Sequence, residues 1–398
     1  MKTPKTMAKS ATADPIPFNP SVLRWARERR GLTVEDVAEK LNQKPEKIAT
    51  WETGVNSPTV IQARRLADIY ERSFLEFFLQ EPPQLKKREL VPDFRVHRGI
   101  DIDADDRGLI DLQEWAEAQR ENAIDLFQVV GESIPKFPPS LSFTISDDEE
   151  SSSGIARQEM AFSIADQLRL NSVERDQLPN IIRSKIEGLG ILTLKASELR
   201  DFGARGLCIV QFPLPVIVFG NESPGAQLFT LVHELAHVML GASGIISPLS
   251  TKSGIEAWCD RFSAAFLMPK EAVSQIIGSP PHVPPPFIAD SVIEAVAGAL
   301  KVSQHAMLVR LVHLGYVNES FYWAVKKPFF DALERKFKNF GRPKYYGSRY
   351  KNSLGELYTG LVIEAWNSGR ITNHNAAEYM GIKNIQHLYD IREHFGRR

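Results

Sequence analysis

The chain has 398 residues, 43% hydrophobic and 24% charged, and 48 Lys+Arg against 49 Asp+Glu leave a net charge of −1. A single core rarely grows past about 250–300 residues, so two or three domains are expected, and the near balance of charge excludes a strong polyelectrolyte. Two cysteines exclude a disulfide scaffold and fit a reducing cytoplasm, and no apolar run nears the roughly 18–20 residues that cross a bilayer, so no membrane partner is expected.

Charge is uneven along the chain. Residues 1–80 carry a net +3, 81–150 a net −9, 151–320 a net −2 and 321–398 a net +7. Breaker-rich stretches fall between these segments: Glu81-Pro82-Pro83, then Phe137-Pro138-Pro139 and the run from Asp147 to Gly154. The expected division is a disordered tail over 1–17, a helical module over 18–80 and an acidic linker with a helix over 81–150. A third module follows over 151–320 and a basic helical domain over 321–398.

The first module reads as five short helices. Ser21 to Arg29 places Val22, Leu23, Trp25 and Ala26 at helical spacing and stops at Gly31. Thr33 opens the second helix, with Asp36 three residues on as an imperfect capping box, and Val37, Ala38 and Leu41 form its apolar stripe. Pro45 suits a first helical position, so the third helix runs Glu46 to Glu52 with Ile48 and Trp51 inward. A fourth begins after Ser57-Pro58-Thr59, and Phe74 to Leu79 is a fifth.

This order resembles the XRE family, the phage-repressor-like helix-turn-helix proteins. The matching residues are Gly31-Leu32-Thr33, Val37-Ala38, Ile48, Trp51-Glu52, Gly54, Pro58-Thr59 and Leu66-Ala67. The resemblance implies operator DNA as a partner, with the third helix in the major groove, and turns Gln43, Lys44, Lys47 and Thr50 toward DNA. It also implies a homodimer on a two-fold operator. The chain has Val34 where members often carry a DNA-contacting Gln.

The third module carries the chemistry. Residues 205–219, RGLCIVQFPLPVIVF, read as two short strands with a bend at the prolines. A turn over 220–225 leads into a helix from Ala226 to Leu240, which contains His233-Glu234-Leu235-Ala236-His237. Residues i and i+4 share a helical face, so the two imidazoles aim at one point, the arrangement that suits Zn2+. Glu234 stands beside that point, placed to take a proton from an activated water.

A catalytic zinc needs a third protein ligand. The next helix, Gly254 to Pro269, places Glu256 19 residues after His237, with Trp258, Phe262, Ala265 and Phe266 as its buried stripe. Glu256 at its start is assigned as the third ligand. Asp260, one turn later, is a competitor that suits a partner orienting a ligand imidazole, and Cys259 suits a small packed residue better than a ligand.

PVIVFGN, FTLVHELAHVML and the following E-x-x-C-D with AAFLMP are similar to the ImmA/IrrE family of metallo-endopeptidases, over roughly residues 155–316. The resemblance implies a zincin-like fold with His233, His237 and Glu256 holding Zn2+ (Mn2+ the alternative) and Glu234 as catalytic base. It implies a repressor-like regulatory protein as substrate. Asp260 stands where members often have Asn. Val91-Pro92-Asp93-Phe94-Arg95 also resembles the segment between the two domains of fused XRE–ImmA/IrrE proteins.

The remaining histidines, His97, His282, His305, His313, His374, His387 and His394, have the neighbours of surface or helix-end positions. Residues 286–316 carry a helix-turn-helix-like pattern. The basic and aromatic stretch over 321–351 reads as a small core with a solvated face, and 353–398 as a further helical unit. The expected fold is α+β: a five-helix XRE-type bundle, a zincin-like domain with a small sheet, then a helical extension. The expected protein is a cytoplasmic DNA-binding regulator with zinc-dependent endopeptidase activity. The alternative is an antitoxin and repressor with a nuclease toxin as its partner.

Overall fold

A computed structural model describes residues 18–70, 72–83, 94–96, 107–170, 172–202, 204–241, 251–335 and 346–396. The expected tail over 1–17 lies outside them. Two compact units divide the chain at residue 89.

The first unit is the expected helical bundle: α1 (Pro20–Arg29), α2 (Val34–Leu41), α3 (Pro45–Glu52), α4 (Val60–Tyr70) and a closing turn. That turn, Phe74–Phe78, is a 3-10 helix rather than the expected α-helix, with Phe77 alone fully buried. The caps follow the sequence. Thr33 and Asp36 exchange both bonds of a complete capping box, and Asn42 ends α2 in the left-handed region. The buried side of the bundle is Val22, Leu23, Ala26, Val37, Ile48, Trp51, Leu66 and Tyr70. One ion pair sits inside it: Arg27 donates from Nε and Nη2 to both oxygens of Glu52, at 2.7 and 2.8 Å.

The second unit is built on a four-stranded sheet in the order β1-β3-β4-β2. The strands are β1 (Phe94–Val96), β2 (Leu192–Lys195), β3 (Ala204–Ile209) and β4 (Val216–Phe219). β3 pairs antiparallel with β1 and β4, and β2 pairs parallel with β4. The two strands expected over 205–219 are β3 and β4. β4 reads Val-Ile-Val-Phe because it is buried on both faces.

Side-chain alternation separates two cores. Cys208, Ile217 and Phe219 face the first core, with α6 (Glu149–Glu159), α8 (Ser172–Gly188), α9 (Pro224–Met239) and α10 (Thr251–Leu267). Leu207, Ile209, Val216 and Val218 face the second, with α5 (Arg107–Val130), α16 (Tyr346–Asn367), α17 (Asn373–Tyr379) and α18 (Gln386–Gly396). The first layer also holds α7 (Ile164–Arg169), α11 (Lys270–Ile277), α12 (Asp290–Leu300) and α13 (Gln304–His313). Beyond them come a short turn α14 (Glu319–Phe321), a π-helical turn over Tyr322–Lys326 and α15 (Lys327–Arg335).

This packing differs from the expected division of the chain. Helix α5, expected in an acidic linker, is a core element. Its buried Arg120 donates to the carbonyls of Leu214 (2.8 Å) and Gln211 (3.1 Å) in the β3–β4 connection. The terminal helices, expected as a separate domain, supply Tyr358, Val362 and Leu388 to the same core. Net charge is a sum over a segment and carries no record of a buried stripe within it. A glycine also shapes α16. Gly355 (φ 85°) breaks the helix where Glu187 of α8 enters, and the Glu187 carboxylate accepts from the amides of Glu356 (3.0 Å) and Leu357 (2.8 Å). Those bonds satisfy the start of a new helical run, as an N-cap does.

Candidate metal centre

α9 begins with Pro224 at its first position and is buried almost throughout, so it runs through the middle of the domain. His233 and His237 are 1% and 2% exposed. Their Nε2 atoms lie 3.2 Å apart. From α10, Glu256 brings Oε2 within 3.2 Å of His233 Nε2 and Oε1 within 3.2 Å of His237 Nε2. Asp260 follows one turn later, its Oδ1 3.0 Å from His233 Nδ1 on the far side of the ring. The sequence-assigned trio therefore converges, and the Asp260 carboxylate lies against the other nitrogen of the His233 ring.

α10 is pinned at its middle and at its end. At its middle, Trp258 Nε1 donates to the Asp147 carbonyl at 2.9 Å. At its end the carbonyls of Phe266, Leu267 and Met268 accept from the buried side chains of Arg157, Gln167 and Arg310. A helix end leaves such carbonyls without intrahelical partners, and these three side chains supply the bonds. The Ala-Phe-Leu-Met-Pro stretch is thus an anchor that fixes the register of Glu256 and Asp260. Cys259 is buried and within hydrogen-bonding reach of His237, in the packed position expected for it.

The electrostatics suit a cation. Burial alone would lower the pKa of His237, but hydrogen bonds with Cys259 and Glu256 and the charge of Glu234 outweigh it and raise the value well above normal. Burial pushes Glu256 upward, yet the two imidazoles hold its carboxyl far below the usual carboxylate range. Two ring nitrogens and a carboxylate, all within 4.8 Å of one another, make a donor set that fits a divalent metal ion.

Glu234 is 1% exposed and does not join the trio. It reaches instead toward β3, where its carboxylate lies against Gly206; a Cβ built there would sit 2.8 Å from the Glu234 carboxyl carbon. Sequence reasoning missed this glycine. The signal was present, since Gly inside a strand often marks a close approach by another group. Above the start of α9, Thr230 donates to Glu222 (3.2 Å), which also faces Arg205 of β3 at 3.5 Å. Among the other histidines, His305 stacks on Phe330 at 4.7 Å and bonds to the Tyr322 hydroxyl. His313, at the end of α13, has its pKa lowered by burial and by Arg310 and Arg261.

In the first unit, Lys44 and Lys47 are exposed and Gln43 and Thr50 half-buried on one side of α3. Lys47 donates to Gln43 at 2.7 Å and lies over the Trp51 ring, and Thr50 bonds back to the Lys47 carbonyl. The four residues expected to face DNA are therefore neighbours on one surface. No single helix among the described residues is long and apolar enough to cross a membrane.

Residues 21–73 match the helix-turn-helix domain family. Residues 192–283, which hold β2 to β4, α9 and α10, match the IrrE N-terminal-like domain of a peptidase family. No curated protein and no solved structure matches the chain. The two family matches fall on the two units just described, and the chain joins an XRE-like helix-turn-helix domain to an ImmA/IrrE-like domain of the metallopeptidase type.

Proposed function

We propose that the chain is a DNA-binding regulator whose second unit is a zinc-dependent endopeptidase acting on a repressor-like regulatory protein. The observation that carries this reading is the meeting of His233, His237 and Glu256, with the buried Glu234 carboxylate near enough for its charge to act on His237. His233 and His237 of α9 and Glu256 of α10 would hold the ion, and Asp260 would fix the His233 ring by accepting from Nδ1. A bound divalent ion supplies the Lewis acidity that lets water attack a peptide bond near neutral pH.

The chain's own groups do the rest. Glu234 takes the proton from the attacking water and returns it to the leaving amine. Gly206 leaves room for this carboxylate to lie along β3. On the DNA side, Gln43, Lys44, Lys47 and Thr50 would meet the operator, and a two-fold operator calls for a homodimer in the cytoplasm. The alternative, an antitoxin that binds a nuclease toxin and its own promoter, leaves a buried general base beside a three-ligand site without a task.

The test is incubation of zinc-loaded protein with repressor-like proteins encoded beside it, with fragments mapped by mass spectrometry. Cleavage by the wild type and none by Glu234→Gln with zinc still bound is the expected result. Equal cleavage by the variant overturns the assignment of Glu234.

A further inference from the structure

Strand β1 occupies a revealing place. In the order β1-β3-β4-β2, β3 has β4 on one side and β1 on the other. β3 is also the strand that runs over α9 and carries Gly206 against Glu234. An extended peptide that joins this sheet beside the Glu234 carboxylate therefore has to take the outer edge of β3. Exposed strand edges recruit such peptides through their rows of N–H and C=O groups. Here the edge is filled by residues 94–96 of the same chain.

The register sharpens the point. Phe94 pairs with Leu207 and Val96 with Ala204, so the pairing slips by one and Arg95 alone stands opposite Arg205 and Gly206. The slip has the form of a β-bulge, two residues facing one. The backbone of Arg95 thus lies across from the residue that holds Glu234. β1 has three residues against the six of β3 and spans only Ala204 to Leu207. So short and irregular a ladder is weakly held, and a longer strand pairing along all of β3 outcompetes it.

We infer that Phe94–Val96 holds the place of the substrate strand, so that a protein substrate is an extended segment that pairs antiparallel with β3 and displaces β1. This rests on the endopeptidase reading of the site. It gives that reading a control: the segment that follows the helix-turn-helix unit is the one that leaves the edge when substrate enters. It also names the substrate chemistry as an unfolded or edge-exposed strand rather than a folded helix.

The test uses the full chain with the double substitution Phe94→Pro and Arg95→Pro. Alternate residues of an antiparallel strand turn their N–H to the same neighbour, so replacing two successive residues of this three-residue strand removes at least one N–H that β3 uses. Arg95→Lys keeps the backbone and serves as control. Three readouts follow. Amide exchange across residues 204–209 quickens in the double variant. A labelled peptide of residues 90–100 binds Glu234→Gln protein about tenfold more tightly once the double substitution is added, the factor for an edge filled about nine-tenths of the time. In zinc-loaded protein, KM for a strand-forming peptide falls by a similar factor, with kcat little changed. Equal peptide binding with and without β1, or unchanged exchange in β3, overturns the inference. Gain of peptide binding without cleavage by either zinc-loaded protein supports the shared edge and sinks the endopeptidase reading alone.

Discussion

Gly206 of β3 and Glu234 of α9 touch across the interface between sheet and helix, with no space left for a methyl group between them. The sheet therefore sets where the carboxylate can lie. Gly206→Ala forces the carboxylate, the strand or both to shift, and the nearest obstacles include its carboxyl carbon and Cγ at 2.8 and 2.9 Å. A misplacement of about 1 Å in a reacting group can cost about a hundredfold in rate. The variant is expected to bind zinc with unchanged stoichiometry and to lose cleavage by roughly that factor. Metal analysis and kcat measured on the same preparation check it; a fully active variant would show that the Glu234 position does not matter.

Asp260 and His233 form the second relationship, 3.0 Å apart on the side of the ring away from Glu256. Removing a carboxylate that orients a ligand imidazole typically costs about 10–100-fold in metal affinity or activity. Asp260→Ala is expected to weaken zinc binding within that range while leaving all three ligands in place. Asp260→Asn keeps an acceptor for Nδ1 and is expected to retain most of the affinity. Competition with a metal-sensitive dye measures both. If Asp260→Ala binds zinc as tightly as the wild type, the side chain has no part in holding the ring.

The Arg27–Glu52 pair tests the first unit separately. Both side chains are largely buried, 12% and 5% exposed, and the guanidinium meets the carboxylate with two bonds. The hydrogen bond to Glu52 raises the Arg27 pKa further, against burial. Removing one partner of a buried pair leaves the other uncompensated and typically costs about 3–5 kcal/mol. Glu52→Ala is therefore expected to melt the helix-turn-helix unit more than about ten degrees lower, with the second unit unaffected. Calorimetry that resolves the two units checks this, and a single unchanged transition counts against it.

Much of the site was legible in the sequence because its signal is local. Residues i and i+4 on a helix share a face whatever surrounds the helix, so His233 and His237 declared a ligand pair directly. Glu256 followed from the length of chain needed to return. Asp260 could be assigned because one helical turn separates it from Glu256. Contacts between distant segments left no such trace. Nothing near Gly206 points to residue 234, and nothing near residues 94–96 announces a strand, because pairing depends on the partner edge. The same holds for α5 and α16. The net charges of their segments read as linker and basic tail, while the buried stripes of Leu126 and Tyr358 matter only once the sheet lies between them and α9.

Lys195, at the end of β2, gives a prediction in pH. Its ammonium is mostly withdrawn from water near Arg183, and burial first, then that neighbouring charge, lowers its pKa from 10.5 to about 8. The ammonium donates to Gln227 Oε1, on the first turns of α9, over a long 3.3 Å. The folded state thus binds this proton more weakly than the unfolded state. Between pH 8 and 10.5 the unfolded chain keeps a proton that the folded chain has released, so this group makes stability rise with pH across that window. Below pH 8 both states are protonated and the penalty is constant. Lys195→Met removes the charge and keeps the length of the side chain. Relative to the wild type, it is expected to be more stable below pH 8, with the advantage shrinking steadily toward pH 10.5. Urea titrations at four or five pH values compare the two proteins. A difference that stays flat across the window would mean that Lys195 keeps its ordinary proton affinity in the folded chain, and that the polar groups around it solvate the ammonium as well as water does.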